Sequence, residues 1–142
     1  MTFIKPKRHV ERVFLHCSAS EIGLEGSALV AEIRKWHRAR GFSDVGYHHL
    51  IDKSGRQMTG RNITKIPAAQ KGHNTGTIAI MIHGLTDFPD SMLDALKVLC
   101  GEINKAYAGR ISFHGHCEVA NKTCPVVDYK TLLKLDRWQR IP

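Results

Sequence analysis

Hydrophobic and polar positions along the chain switch between a period of two and a period near 3.6, the signature of strands alternating with helices. Val10-Glu-Arg-Val-Phe-Leu-His-Cys17 is rich in strand formers and reads as a central strand. A period of two places Phe14 and His16 on one face and Val13, Leu15 and Cys17 on the other. Gly26-Ser27 then opens a helix with Ser27 as its N-cap. Leu29, Ile33, Trp36, His37 and Arg40 follow a helical stripe, and Gly41 supplies the stop. Tyr47-His-His-Leu-Ile-Asp52 and Arg56-Gln-Met-Thr59 flank Lys53-Ser-Gly55, a hairpin pattern with glycine at the turn. Between Gly60 and Gly76 periodicity lapses and breakers accumulate. A loop longer than about 12–15 residues in a compact domain is more often functional than idle.

Thr77-Ile-Ala-Ile-Met-Ile82 is almost continuously apolar, as expected of a strand buried on both faces. Asp90 or Ser91 caps a second helix, whose Leu93, Leu96, Val98, Leu99, Ile103 and Tyr107 form a broad apolar face ended by Gly109. Ile111-Ser-Phe-His114 is a short strand, and residues 129–138 form a closing helix. The alternation predicts an α/β fold, a central mixed β-sheet flanked by helices. No repeat or Gly/Ser linker divides the chain, so one domain is expected over residues 1–142, with no appended binding module.

Composition changes this picture in three ways. At 142 residues, a domain buries roughly 70% of its unfolded surface and needs no disulfide or structural metal to stay folded. The 21 Lys and Arg against 13 Asp and Glu give a net charge of +8, which favours a polyanionic partner: nucleic acid, an anionic membrane or an anionic cell envelope. No apolar run approaches the ~20 residues of a membrane span, and no secretory signal follows the basic start Met1 to His9. The thiols are therefore expected to be reduced. Cysteines at 17, 100, 117 and 124 form no Cys-x-x-Cys pair, which argues against a zinc ribbon. Zinc-finger spacing and aromatic RNA-binding motifs are also missing from the sequence.

The nine histidines are unevenly informative. His9 and His37 read as surface or helix-face residues. His16 lies at the C-terminal end of a predicted central strand, where open α/β sheets place their ligands. A second cluster, His114-Gly-His-Cys-Glu-Val-Ala-Asn-Lys-Thr-Cys-Pro125, begins where a strand ends. Catalytic zinc takes three nitrogen or sulfur ligands and leaves one position for water. His16 with one His and one Cys of this loop would supply them, but residue types alone leave His114 and His116, and Cys117 and Cys124, as open alternatives. Cys124-Pro125 marks a conformationally restricted position.

Five blocks carry a resemblance. His16-Cys-Ser-Ala-Ser20, Glu32-Ile-Arg-Lys-Trp-His37, Asp44-Val-Gly-Tyr-His48, Lys71-Gly-His-Asn-Thr-Gly-Thr-Ile-Ala-Ile80 and His116-Cys-Glu-Val-Ala-Asn-Lys-Thr-Cys-Pro125 occur in that order. Together they resemble the type-two N-acetylmuramoyl-L-alanine amidase and peptidoglycan-recognition-protein superfamily, above all the amidase-type "lysozymes" of short-tailed coliphages. The resemblance implies the peptidoglycan-recognition-protein-like amidase fold, zinc (Zn2+) held by His16, His116 and Cys124, Tyr47 beside the metal, and Lys122 as the catalytic lysine. It leaves His114, Cys17 and Cys117 as neighbours, with His114 the expected hydrogen-bonding support of the ligands, and Glu118 as structural. Ala69 departs from the pattern, standing where phage members carry a histidine. His83 and Leu85 replace a small apolar residue and a glycine.

The implied activity is hydrolysis of the amide between N-acetylmuramic acid and L-alanine in peptidoglycan, by a monomeric phage or prophage endolysin. Such a lysin waits in the host cytoplasm until a holin opens the membrane. A non-catalytic peptidoglycan-binding module is the alternative, and the presence of His16 and Cys124 argues against it, since binders commonly lose a metal ligand. Phage members of the family also bind their phage's RNA polymerase, a partner that no motif here encodes.

Overall fold

The computed structural model describes residues 3–142, so Met1 and Thr2 of the basic start lie outside it. Five strands form one sheet: β1 (Arg12–Cys17), β2 (His49–Ile51), β3 (Gln57–Thr59), β4 (Thr77–Ile82) and β5 (Ser112–Gly115), in the order β3-β2-β4-β1-β5. β1 runs parallel to both β4 and β5, and β2 parallel to β4. Only the β2–β3 hairpin is antiparallel, with Gly55 at φ +90° in its turn. The sheet is thus mixed, as expected. β4 occupies the middle and is buried along its whole length, which accounts for its unbroken apolar run.

Helices cover both faces. α1 (Gly26–Ala39) packs Leu29, Val30 and Ile33 against Leu50, Met58 and Met81. On the other face α2 (Asp90–Ala106) packs Met92, Leu96, Leu99 and Ile103 against Val13, Leu15, Ile78, Ile80 and Phe113. The alternation read in β1 therefore holds: Val13, Leu15 and Cys17 face α2, and His16 the opposite side. Among the described residues no helix is long and apolar enough to cross a membrane.

The helix ends depart from the sequence expectation because their partners come from elsewhere in the chain. Ser27 lies inside α1, and the position before the helix is Glu25, whose side chain caps nothing. The first-turn donor is met instead by the buried Asp52 of the hairpin, whose Oδ2 accepts from Gly26 N–H at 2.9 Å. Burial pushes the Asp52 carboxyl up, but donors from Ser54, Gly26 and Arg56 outweigh it and hold it below the usual range. At α2 the cap position is Pro89, not Asp90 or Ser91, and its carbonyl accepts from Met92 and Leu93. Ser91 Oγ donates to the Lys53 carbonyl. Val98, expected on the apolar face, is 59% exposed. The closing helix is short: α3 spans Tyr129–Leu132, capped by Asp128 accepting from Thr131 N–H, and Lys134 at φ +52° ends the helical path.

Candidate metal centre

Parallel pairing brings the two histidine segments together. The register Phe14↔His114 and Leu15↔Gly115 makes β1 and β5 end side by side, and the chain turns at His116–Glu118 directly after β5. The His16 and His116 ring centroids are 4.6 Å apart. The loop then returns Cys124 to the end of β1, where Sγ lies 4.0 Å from His16 Nδ1 and accepts from Cys17 N–H at 3.1 Å. Cys117 N–H donates to the Cys124 carbonyl at 2.8 Å and closes the loop on itself. One ring nitrogen of His16, one of His116 and Cys124 Sγ lie within 4.8 Å of one another.

The alternatives left by residue type separate here. His114 is turned away: Nδ1 meets Glu118 Oε1 at 2.9 Å, Nε2 meets Ser112 Oγ at 2.7 Å, and the ring packs against Phe14 at 5.4 Å. It supports Glu118 rather than an imidazole of the cluster, contrary to expectation. Cys117 is exposed, with Sγ 3.9 Å from the Tyr129 hydroxyl. Glu118 is structural as expected, accepting from Gly115 N–H at 2.9 Å, from Gln139 Nε2 at 2.8 Å and from Tyr129. Burial opposes its charge, yet these donors hold its carboxyl at about 2.

The cluster opens on a groove of about 840 Å³, lined by His16, His116 and Cys124 and by Tyr47 and Lys122. All five site residues expected from the sequence therefore meet in one place. The Tyr47 and His16 ring centroids are 5.2 Å apart. Arg40 and Lys71 add positive charge to the walls, and no carboxylate among the described residues lines them, so the groove suits an anionic ligand. Ala69, the departure from the family pattern, also lines the groove and offers it only a methyl group.

Two contributors escaped the sequence reading. His37 is buried rather than exposed, lies in the groove wall, and accepts Gly46 N–H on Nδ1 at 2.8 Å. Its helical spacing from Ile33 already pointed inward; only its polarity suggested a surface. Gln70, fully buried, meets His16 Nε2 through Oε1 at 2.9 Å. It comes from the aperiodic loop, and nothing in the local pattern marks it. His83, a further departure, is also buried, between Ser18 Oγ at 2.8 Å and the Ile22 carbonyl at 2.7 Å, and so pins the segment after β1, while Leu85 is exposed.

Electrostatics keep the imidazoles neutral. Burial, reinforced by His116 and Lys122, lowers His16 to about 3 despite its bond to Gln70. Burial and then Lys122 lower His116 as well. Each ring thus keeps a lone pair for a metal at neutral pH. Burial, with the Cys124 and Cys17 thiols, pushes the Tyr47 phenol up, so it remains a proton donor.

A five-stranded mixed sheet thus ends its parallel strands on a His, His, Cys group that could hold a metal ion, set in a basic groove. Residues 6–126 match the N-acetylmuramoyl-L-alanine amidase family, and the chain belongs to it. The endolysin of Klebsiella phage KP32 is 31% identical over 132 residues, 87% of this chain and 85% of the relative. The fold is shared with the N-acetylmuramoyl-L-alanine amidase LysC from Clostridium intestinale, at TM-score 0.76 and 20% identity over 89% of this chain and 85% of the other. Drosophila peptidoglycan recognition protein SD superposes at TM-score 0.79 with 22% identity, covering 96% of this chain and 89% of the other.

Proposed function

We propose that this chain is a zinc-dependent hydrolase of the amide joining N-acetylmuramic acid to L-alanine in peptidoglycan, and that it serves as a phage or prophage endolysin. The observation that carries the chemistry is the convergence of His16, His116 and Cys124 at the groove floor. One thiolate and two neutral imidazoles are a donor set that zinc prefers. Tetrahedral bonds of about 2.0–2.3 Å set ligand atoms about 3.5 Å apart, which the observed limit of 4.8 Å accommodates with small side-chain movements. Family membership and the likeness to a phage endolysin support the reaction and the role. Storage in the host cytoplasm until a holin opens the membrane belongs to the same reading.

Zinc, when bound, supplies a Lewis acid that polarises the scissile carbonyl and lowers the pKa of water. The chain supplies the rest. The Cys17 thiol and burial hold the Cys124 thiol up in the metal-free chain, opposed by Cys17 N–H directed at Sγ, so a bound cation would be what draws off its proton. The Lys122 ammonium and the Tyr47 phenol border the groove and stabilise the negative charge that builds on the carbonyl oxygen. Basic walls receive the carboxylates of the stem peptide. Having all three donors favours an enzyme over a module that only binds peptidoglycan.

The test combines metal analysis with product identification on purified sacculi. Wild-type protein should carry one zinc and release stem peptides with free L-alanine amino groups. Cys124→Ser should lose most of both, because a neutral hydroxyl is a far poorer zinc ligand than a thiolate. Binding of sacculi without cleavage, or full zinc occupancy and activity in the serine variant, would overturn the proposal.

A further inference from the structure

We infer that Gln70 is a positioning residue: it fixes His16 as the tautomer protonated on Nε2, so that the Nδ1 lone pair faces His116 and Cys124. The inference rests on the metal-binding reading of this cluster, but it concerns an atom-level property of the protein that exists before any ion arrives.

A fully buried amide is costly unless all its groups are paired, so its partners define its orientation. Gln70 Nε2 lies 3.2 Å from the His73 carbonyl and 2.7 Å from Thr77 Oγ1. A carbonyl can only accept, which puts the amide NH2 on that side. The Thr77 hydroxyl gives its one proton to the Asn74 carbonyl at 2.8 Å, so it too accepts from the amide. Oε1 is therefore the atom at His16, 2.9 Å from Nε2. An acceptor there requires the proton on Nε2, which leaves Nδ1 bare, and Nδ1 is the atom 4.0 Å from Cys124 Sγ.

Rotating the amide would set its NH2 against the ring and its oxygen against the His73 carbonyl and Thr77 Oγ1. The backbone is pinned as well, since Asn74 Oδ1 accepts from Ala69 N–H at 3.1 Å and Gln70 N–H at 3.0 Å. The stretch without helical or strand pattern thus holds a hydrogen-bond chain from β4 through Thr77 and Gln70 to His16. Partners of this kind orient a metal-binding imidazole and typically contribute 10–100-fold in metal affinity.

The experiment reads the imidazole directly. In metal-free protein with nitrogen-labelled histidine, long-range proton–nitrogen spectra at neutral pH should show His16 protonated on Nε2 alone. Gln70→Leu should give a mixture of tautomers and weaken zinc binding 10–100-fold in chelator competition. Gln70→Glu keeps an acceptor at His16 Nε2 and should keep the tautomer and the zinc affinity, although its second oxygen against the His73 carbonyl lowers thermal stability. A merely structural glutamine would lower thermal stability in both variants without separating Leu from Glu in tautomer or affinity. Protonation on Nδ1 in the wild type, or wild-type tautomer and zinc affinity in Gln70→Leu, overturns the inference. The wild-type spectrum decides even if the leucine variant does not fold. Neither readout uses peptidoglycan, so a failed sacculus assay and a failed tautomer assignment remain distinguishable.

Discussion

Lys122 and Tyr47 share a groove with the three metal-ligand candidates, and their chemistry differs from that of the ligands. A ligand variant should lose the ion, whereas a variant of a charge-stabilising donor should keep it. Lys122→Ala is therefore expected to retain zinc while turnover on sacculi falls by about 10²–10³, the usual cost of removing an oxyanion donor. Near-normal cleavage would take Lys122 out of the reaction. At this scale the sequence was legible wherever a periodic element carried the residue. His16 followed from strand alternation, and His37 was signalled by its stripe but misread for its polarity. Choosing His116 over His114 required the family pattern, and the β1–β5 register shows its physical basis. Gln70 was illegible, because a glutamine in an aperiodic loop acquires a role only through partners that folding brings to it.

Three elements converge at Gly46. Its N–H donates to His37 on α1, its carbonyl accepts from Ala68 N–H at 3.1 Å, and its own neighbour is Tyr47. A Cβ at Gly46 would lie 2.1 Å from the Ala68 carbonyl oxygen, a backbone atom with no rotamer to yield. Gly46→Ala should thus push the loop over residues 60–76 away from Tyr47. A stability loss of about 1–3 kcal/mol is expected, read by denaturant unfolding, together with reduced cleavage; an unchanged midpoint would contradict the packing described. Element identity was legible throughout the chain, while element ends were not. Asp52 capping α1 from the hairpin and Pro89 replacing Asp90 at α2 are contacts or geometries that a local pattern of polar residues does not encode.

Across the whole molecule, buried neutral histidines set the response to acid. Burial is the leading cause that lowers His48 to about 3, and His37 and His49 to about 4, from an ordinary value of 6.5. Both ring nitrogens of His49 are buried without a hydrogen-bond partner among the described residues. Below pH 6.5 the unfolded chain takes up protons that these rings in the folded protein refuse, so stability falls as pH drops toward about 4. Each such ring contributes a slope on the order of 1.4 kcal/mol per pH unit. Melts of metal-free protein should show a plateau above pH 6.5 and a steep decline beneath it; constant stability down to pH 5 would refute this. The ligand geometry has a last consequence, in chain topology. His16 and Cys124 are 108 residues apart, so an ion joining them closes nearly the whole polypeptide into a ring. Yet β1 and β5 already pair in parallel beside them, and that pairing has closed the ring before the ion binds. The entropy of closure is consequently carried by the sheet. An ion bound there would therefore order the loop after β5 without being a staple of the fold, and stripping it with a chelator should leave the domain folded.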